Sequence, residues 1–220
     1  MDKTQLLQNY QGVLSTVKKY DGARLLLATK MQPCEDINCL VSEGACLIGE
    51  NKVNELLEKY EGYDKRAEIH FIGTLQSNKV KYIIDKVSLI HSVDKLSLLE
   101  EIDKRAKKIG KVMDVLIEVN SGKEENKGGV FPEDVSDFYE KAKAFANVRV
   151  RGLMTMAPRC ESREEYLKYF GLTKKLFDEL FDGDENAILS MGMSESYEYA
   201  LEAGATLVRV GSKIFGERKY

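Results

Sequence analysis

A lysine ends the first apolar run of the chain. Lys30 follows residues 24–29, a compact run of the kind that forms a buried strand. An amine in that position loses part of its hydration, and desolvation lowers the pKa of a lysine. A neutral amine is a nucleophile that forms a Schiff base with an aldehyde. Position alone leaves a second interpretation equally open, in which the Lys30 side chain extends into solvent and does no chemistry.

Glycines and serines late in the chain form a pattern that suits an anion. Two short apolar runs are followed by Gly192 and Gly211, where backbone N–H groups can approach a ligand closely. Hydroxyl donors stand beside them at Ser190, Ser194 and Ser212. Ser194 also occupies the predicted start of a helix, whose N-terminus favours negative charge. The same residue types serve ordinary turns. Together with the strand-end lysine they predict a pocket for an aldehyde that carries a phosphate.

Eight apolar runs must position these residues. They predict strands at residues 24–29, 46–49, 69–73, 89–93, 112–119, 148–156, 188–191 and 207–210. Amphipathic stretches between them predict helices, and one more helix is predicted in front, at residues 3–20. Strands that alternate with helices indicate a parallel sheet. Eight such units predict a TIM (β/α)8 barrel with an extra N-terminal helix, and its active site would lie at the C-terminal ends of the strands.

A doubly wound open sheet is the alternative architecture. Its first strand is usually followed by a glycine-rich turn. Here residues 29–33, TKMQP, contain no glycine. The barrel is therefore favoured. Because the chain has three prolines and no glycine- or serine-rich linker, we expect one domain over residues 1–220.

Charge and hydropathy exclude several classes of partner. Lys and Arg number 33 and Asp and Glu number 36, which gives a net charge of −3 and no electrostatic footprint for nucleic acid. No apolar run approaches the ~18–20 residues that cross a bilayer, and the N-terminus lacks the apolar core of a signal peptide. We therefore expect a cytoplasmic protein. The four scattered cysteines are expected to be free thiols: Cys34, Cys39, Cys46 and Cys160.

Six segments, spread from the first predicted strand to the last, carry a resemblance. They are LLLATK (25–30), GENKVNE (49–55), HFIGTLQSNK (70–79), GLMTM (152–156), SMGMS (190–194) and VRVGSKIFGER (208–218). In these segments the chain resembles the pyridoxal-phosphate homeostasis protein family, which shares the barrel of the alanine racemase N-terminal domain. The resemblance covers essentially the whole chain. It implies a fold-type III barrel that binds pyridoxal 5′-phosphate (PLP) and lacks the C-terminal β-domain of the racemases.

The resemblance also implies cofactor-binding roles for nine residues: Lys30, Asn51, Met154, Ser190, Gly192, Ser194, Arg209, Gly211 and Ser212. Lys30 would hold PLP as a Schiff base. Ser194, Gly211 and Ser212 would contact its phosphate, in a loop that Ser190 and Gly192 shape. Asn51 and Met154 match positions that line the ring pocket.

Arg209 matches the arginine that faces the pyridine nitrogen in the related racemases. A guanidinium does not give up its proton, so the nitrogen would stay unprotonated and the ring would be a poorer electron sink. A racemase also needs a second acid–base group on the opposite face. In the two-domain racemases, a tyrosine of the C-terminal domain supplies it. Tyr220, a tyrosine of a partner chain and His70 are the candidates here, and His70 is more typical of a structural histidine.

The resulting prediction is a protein of PLP homeostasis that holds the cofactor and releases it, with apo PLP-dependent enzymes as recipients. We expect a monomer without catalytic activity of its own. Two alternatives stay open: a weak amino-acid racemase, and a Schiff-base aldolase that acts on a phosphorylated sugar. The loop at residues 122–129 departs from the GEESKSG pattern of the family, which leaves any contact made there undetermined.

Overall fold

Eight parallel strands close into a barrel in the computed structural model, which describes residues 2–216. In chain order they are β1 (Arg24–Ala28), β2 (Leu47–Glu50), β3 (Glu68–Phe71), β4 (Leu89–Val93), β5 (Met113–Val119), β6 (Val148–Thr155), β7 (Ile188–Ser190) and β8 (Leu207–Val210). Each strand pairs with the next, and β8 pairs with β1, where Leu26 lies opposite Arg209. The closed barrel confirms the predicted fold and excludes the open sheet.

Helices surround the barrel on its outside. They are α1 (Lys3–Val17), α2 (Cys34–Ser42), α3 (Val53–Lys59), α4 (Val80–Ile83), α5 (Leu96–Lys108), α6 (Val135–Ala142), α7 (Arg163–Phe181), α8 (Tyr197–Glu202) and α9 (Ser212–Phe215). The predicted N-terminal helix is confirmed as α1, which buries Leu6, Tyr10, Val13 and Val17. The sequence did not predict α9, because four residues are too few for a helical period to show. Within residues 2–216, no helix has the length and apolar character needed to cross a membrane.

Side chains alternate between the two faces of each strand. Leu27, Ile48 and Phe71 belong to the large apolar layer between the strands and the helices. Their neighbours along the strands therefore face the barrel interior. Apolar side chains fill part of that interior in two small clusters, Leu26 with Leu47, Ile72 and Leu207, and Leu89 with Leu116 and Met154.

Buried polar side chains fill the rest of the barrel interior. By the same alternation they are His70 of β3, His91 of β4, Glu118 of β5, Ser190 of β7 and Arg209 of β8. Interiors of this fold are usually filled by branched apolar residues. The polar content of the interior indicates that these side chains support a functional site at one end of the barrel.

Candidate functional site

A cavity of about 460 Å³ opens where the strands end. Its volume is within the usual range for small-molecule sites. Seven of the nine residues predicted to bind the cofactor line it: Lys30, Asn51, Gly192, Ser194, Arg209, Gly211 and Ser212. They follow β1, β2 and β7, belong to β8, or lie between β8 and the first residue of α9, so the parallel barrel brings together residues that are far apart in sequence.

Met154 and Ser190 do not line this cavity. Met154 is buried inside the barrel, where it packs with Leu89 and Leu116. Ser190 is also buried, and its Oγ accepts a hydrogen bond of 2.6 Å from Nη1 of Arg209. Ser190 therefore supports a residue that lines the cavity and does not face the cavity itself.

Ser194 joins the loops that follow β7 and β8. Its Oγ accepts hydrogen bonds from the backbone N–H groups of Gly211, at 3.2 Å, and Lys213, at 3.3 Å. The prediction that Ser194 begins a helix is wrong, since α8 begins at Tyr197. A turn comes first, closed by a hydrogen bond of 2.7 Å from the N–H of Tyr197 to the carbonyl of Met193. Ser194 is thus a link between two loops.

Gly192 occupies a position that only glycine fits. Its φ is +87°, and a Cβ there would lie 2.4 Å from the Cβ of Ala200 and 2.9 Å from the Cα of Tyr197. Its carbonyl accepts a hydrogen bond from the N–H of Arg209. The close packing of α8 against this loop depends on the missing side chain.

We expect Gly192→Ala to lower the free energy of unfolding by about 1–3 kcal/mol, because the new methyl group meets both a clash and a strained φ. Thermal unfolding measures the effect. Gly171→Ala is the matched control, because Gly171 lies within α7 with no atom within 4 Å of its would-be Cβ. That variant should be more stable by about 0.5–1 kcal/mol. Equal shifts of the two variants would contradict the assignment.

Arg209 presents a fixed positive charge to the base of the cavity. It is 4% exposed, and Nη2 donates to the carbonyl of Thr155 at 3.1 Å. Burial lowers the pKa of Arg209 to about 10, which leaves the guanidinium charged at neutral pH. Glu118 also faces the interior, and burial together with the charge of Asp94 raises its pKa to about 7, against the opposing effect of Arg209.

A buried network holds the segment that carries Lys30. Nζ of Lys59 donates to the carbonyls of Thr29, at 3.0 Å, and Gln32, at 3.3 Å, on either side of Lys30. The same Nζ lies 2.7 Å from Oε1 of Glu50. That oxygen also accepts from the hydroxyls of Thr29 and Tyr63, both at 2.6 Å. We call Glu50, Lys59 and Tyr63 the loop clamp.

The loop clamp holds a strained turn. Met31 has a φ of +62°, which is uncommon for a residue with a side chain. Its backbone N–H donates to Oε1 of Glu55, which also pairs with Nζ of Lys59 at 2.9 Å. Such strain persists where surrounding contacts fix the backbone. Here those contacts fix the residue next to Lys30.

One wall of the cavity is aromatic, and no pattern in the sequence indicated it. Tyr166 and Phe170 of α7 line the cavity, with ring centroids 5.9 Å apart. Tyr166 also stacks on Tyr199, at 5.7 Å. Helical spacing of aromatic residues does not distinguish a cavity wall from core packing. His70 does not line the cavity, and Tyr220 lies outside the described residues.

The chain is similar in sequence to a known family of proteins. The family model described as alanine racemase, N-terminal domain, matches residues 1–219. The pyridoxal phosphate homeostasis protein of Aquifex aeolicus is 50% identical over 201 residues, which cover 90% of this chain and 88% of that protein. The chain belongs to the pyridoxal phosphate homeostasis protein family. The Helicobacter pylori protein of the same name, from strain 26695, is 38% identical over 77% of each chain.

Solved structures place this member of the family among known barrels. PipY of Synechococcus elongatus with PLP bound has a TM-score of 0.83 and 27% identity, and the match covers 96% of this chain and 100% of PipY. An alanine racemase of Clostridium difficile has a TM-score of 0.79 at 19% identity. That match covers 97% of this chain and 58% of the racemase, and it shows a shared fold.

Proposed function

We propose that this chain binds PLP in the cavity at the strand ends, attaches it reversibly to Lys30 and releases it to apo PLP-dependent enzymes. The observation that carries the proposal is the convergence of Lys30 with the loops after β7 and β8 on one cavity. The names of the homeostasis relatives and the PLP-bound PipY structure support the same ligand.

The residues around the cavity fit PLP in their chemistry. Lys30 offers an amine for an aldehyde. Ser194, in the loop after β7, and Ser212, the first residue of α9, offer hydroxyl groups, and the neighbouring glycines leave room for an anion beside the backbone. A Cβ on Gly211 would lie 3.0 Å from the carbonyl oxygen of Ala28, so glycine lets the loop after β8 lie against the end of β1. The loop after β8 and the end of β1, two residues before Lys30, are therefore held side by side.

Arg209 favours storage over catalysis. When bound, PLP supplies an aldehyde for a reversible Schiff base and a ring that can take up electrons. The Arg209 guanidinium donates hydrogen bonds and accepts none, so at the pyridine nitrogen it would keep that atom unprotonated. A ring without that proton draws electrons less strongly. This chain would therefore hold the cofactor without promoting carbanion chemistry.

The test is a titration of the purified wild-type protein with PLP, followed by absorbance between about 300 and 500 nm. We expect saturable binding with a visible band that borohydride removes, and one reduced adduct per chain in the mass spectrum. Peptide mapping should place the adduct on Lys30. Transfer is then measured as recovery of activity when the loaded protein meets an apo PLP-dependent enzyme. A protein that stays colourless in excess PLP would contradict the proposal and favour the aldolase alternative.

A further inference from the structure

A chain of hydrogen bonds crosses the barrel interior below the cavity. Arg209 Nη1 lies 2.6 Å from Ser190 Oγ, which lies 3.1 Å from Nδ1 of His91. Nε2 of His91 lies 3.0 Å from Nδ1 of His70. Nε2 of His70 lies 3.2 Å from Oε1 of Glu68. The chain thus joins a residue that lines the cavity to the first residue of β3, at the opposite end of the barrel.

With both imidazole rings neutral, the two ends of this interior chain determine its direction. An arginine only donates hydrogen bonds, and an ionised carboxylate only accepts them. Hydrogen bonds from His70 and Ser88 hold the pKa of Glu68 at about 2, so this carboxylate is ionised at neutral pH. A neutral His70 therefore carries its proton on Nε2, toward Glu68. Its Nδ1 then accepts from Nε2–H of His91.

Donors and acceptors also match along the rest of the hydrogen-bond chain, from His91 to Arg209 at the cavity. Burial lowers the pKa of His91 well below its usual value, as do its neighbour His70 and the charges of Arg209 on β8 and Arg24 on β1. A neutral His91 with its proton on Nε2 has a bare Nδ1, which accepts from the hydroxyl of Ser190. The Ser190 oxygen then accepts from Arg209. Each ring has one donor and one acceptor, and both are used.

Such a chain is costly to bury unless it is complete. A polar group taken from water loses free energy when it finds no partner, and a fully connected network avoids that loss. Apolar side chains would fill the same space without this requirement. The polar chain is explained if Arg209, at its upper end, must keep one orientation.

We propose that Glu68 holds the Arg209 guanidinium in place through His70, His91 and Ser190, which makes these four residues positioning residues for the cavity. The inference rests on the proposed function only in taking PLP as the group that Arg209 meets. It assigns a role in binding to a residue at the N-terminal rim, where this fold usually keeps residues that matter for stability. The Glu68 side chain is 48% exposed there.

The first experiment determines, without any cofactor, which nitrogen of each histidine ring carries the proton and therefore the direction of the hydrogen bonds. The protein contains two histidines, and both belong to the interior hydrogen-bond chain. The ring signals in a ¹⁵N-histidine-labelled sample therefore come from these four nitrogens and no others. We expect Nε2 protonated and Nδ1 bare in both rings at neutral pH. A proton on Nδ1 of His91, or a doubly protonated ring, would overturn the assigned direction. Glu68→Gln keeps an oxygen acceptor for Nε2–H of His70, so each ring should keep its assigned tautomer.

The second experiment reads whether the chain acts on the cavity. Glu68→Ala should raise the Kd for PLP about three- to tenfold, the effect of one lost hydrogen bond, and should alter the ring signals. Asp114→Ala is the matched control, because Asp114 lies at the same rim and contacts Arg149 and Arg151 but neither histidine. An unchanged Kd in Glu68→Ala, or an equal rise in both variants, would overturn the proposal.

A third measurement separates this inference from the proposed function. With ¹⁵N-arginine labelling and no PLP, a held Arg209 should give separate Nη signals in the wild type, and these should merge in Glu68→Ala. Unchanged Nη signals in that variant would overturn the role of Glu68. A wild-type protein that binds no PLP would count against the proposed function, while the Nη signals still decide whether Glu68 holds Arg209.

Discussion

Lys30→Ala is expected to abolish covalent attachment of PLP while the barrel stays folded. The Lys30 amine lines the cavity, and within residues 2–216 it has no hydrogen-bond or ion-pair partner whose loss would weaken the fold. The Schiff-base band and the borohydride adduct should both disappear. Contacts to the phosphate and the ring remain, so the variant should still bind PLP, with a Kd raised at least about tenfold, or ~1.4 kcal/mol. Absorbance and intact mass measure attachment, and isothermal titration measures the residual affinity.

Lys52→Ala is the matched control for this substitution. Lys52 lies two residues beyond the end of β2, as Lys30 lies two residues beyond the end of β1, yet Lys52 does not line the cavity. Both variants should unfold at nearly the same temperature as the wild type. If Lys30→Ala kept the band, or if Lys52→Ala lost it, the nucleophile would be another amine and the assignment of Lys30 would fail.

The features that could be predicted from the sequence are those that depend on short segments of the chain. The apolar runs placed all eight strands to within two residues at each end, because a strand buried on both faces leaves a continuous apolar signal. The order of strands and helices then sufficed for the barrel. Lys30 and Gly211 could be predicted to converge since the C-terminal ends of all strands meet at one face.

Side-chain partners between elements could not be predicted in the same way. Glu55 and Lys59 have the i,i+4 spacing of an ordinary surface pair, and nothing local shows that Lys59 reaches Glu50 and the turn around Lys30. His70 and His91 are 21 residues apart on neighbouring strands, and their contact depends on barrel register and ring orientation. Both networks require the folded geometry.

Lys59→Met is expected to lower the free energy of unfolding by about 3–5 kcal/mol, because it removes the cation from a buried ion pair. The Glu50 side chain is fully buried, and its Oε2 has no hydrogen-bond partner among the described residues. Among residues 2–216, Oε1 would keep Thr29 and Tyr63 as its donors. Burial and the Glu50 charge raise the pKa of Tyr63, so its hydroxyl remains a donor but supplies no positive charge. Urea unfolding, followed by circular dichroism, measures the loss.

The same substitution should also lower the affinity for PLP, because Lys59 binds the carbonyls on both sides of Lys30 and Met31. Lys65→Met is the control: Lys65 also forms an i,i+4 pair, with Glu61, but both side chains are exposed and the pair contributes little. The double variant with Glu50→Gln and Lys59→Met should recover part of the lost stability, since the fully buried carboxylate of Glu50 is then replaced by a neutral amide. PLP affinity should stay reduced in the double variant, because the carbonyls beside Lys30 still lack their donor. If PLP bound as tightly as in the wild type despite the lost stability, the loop clamp would support the fold alone and Lys30 would be positioned by the barrel.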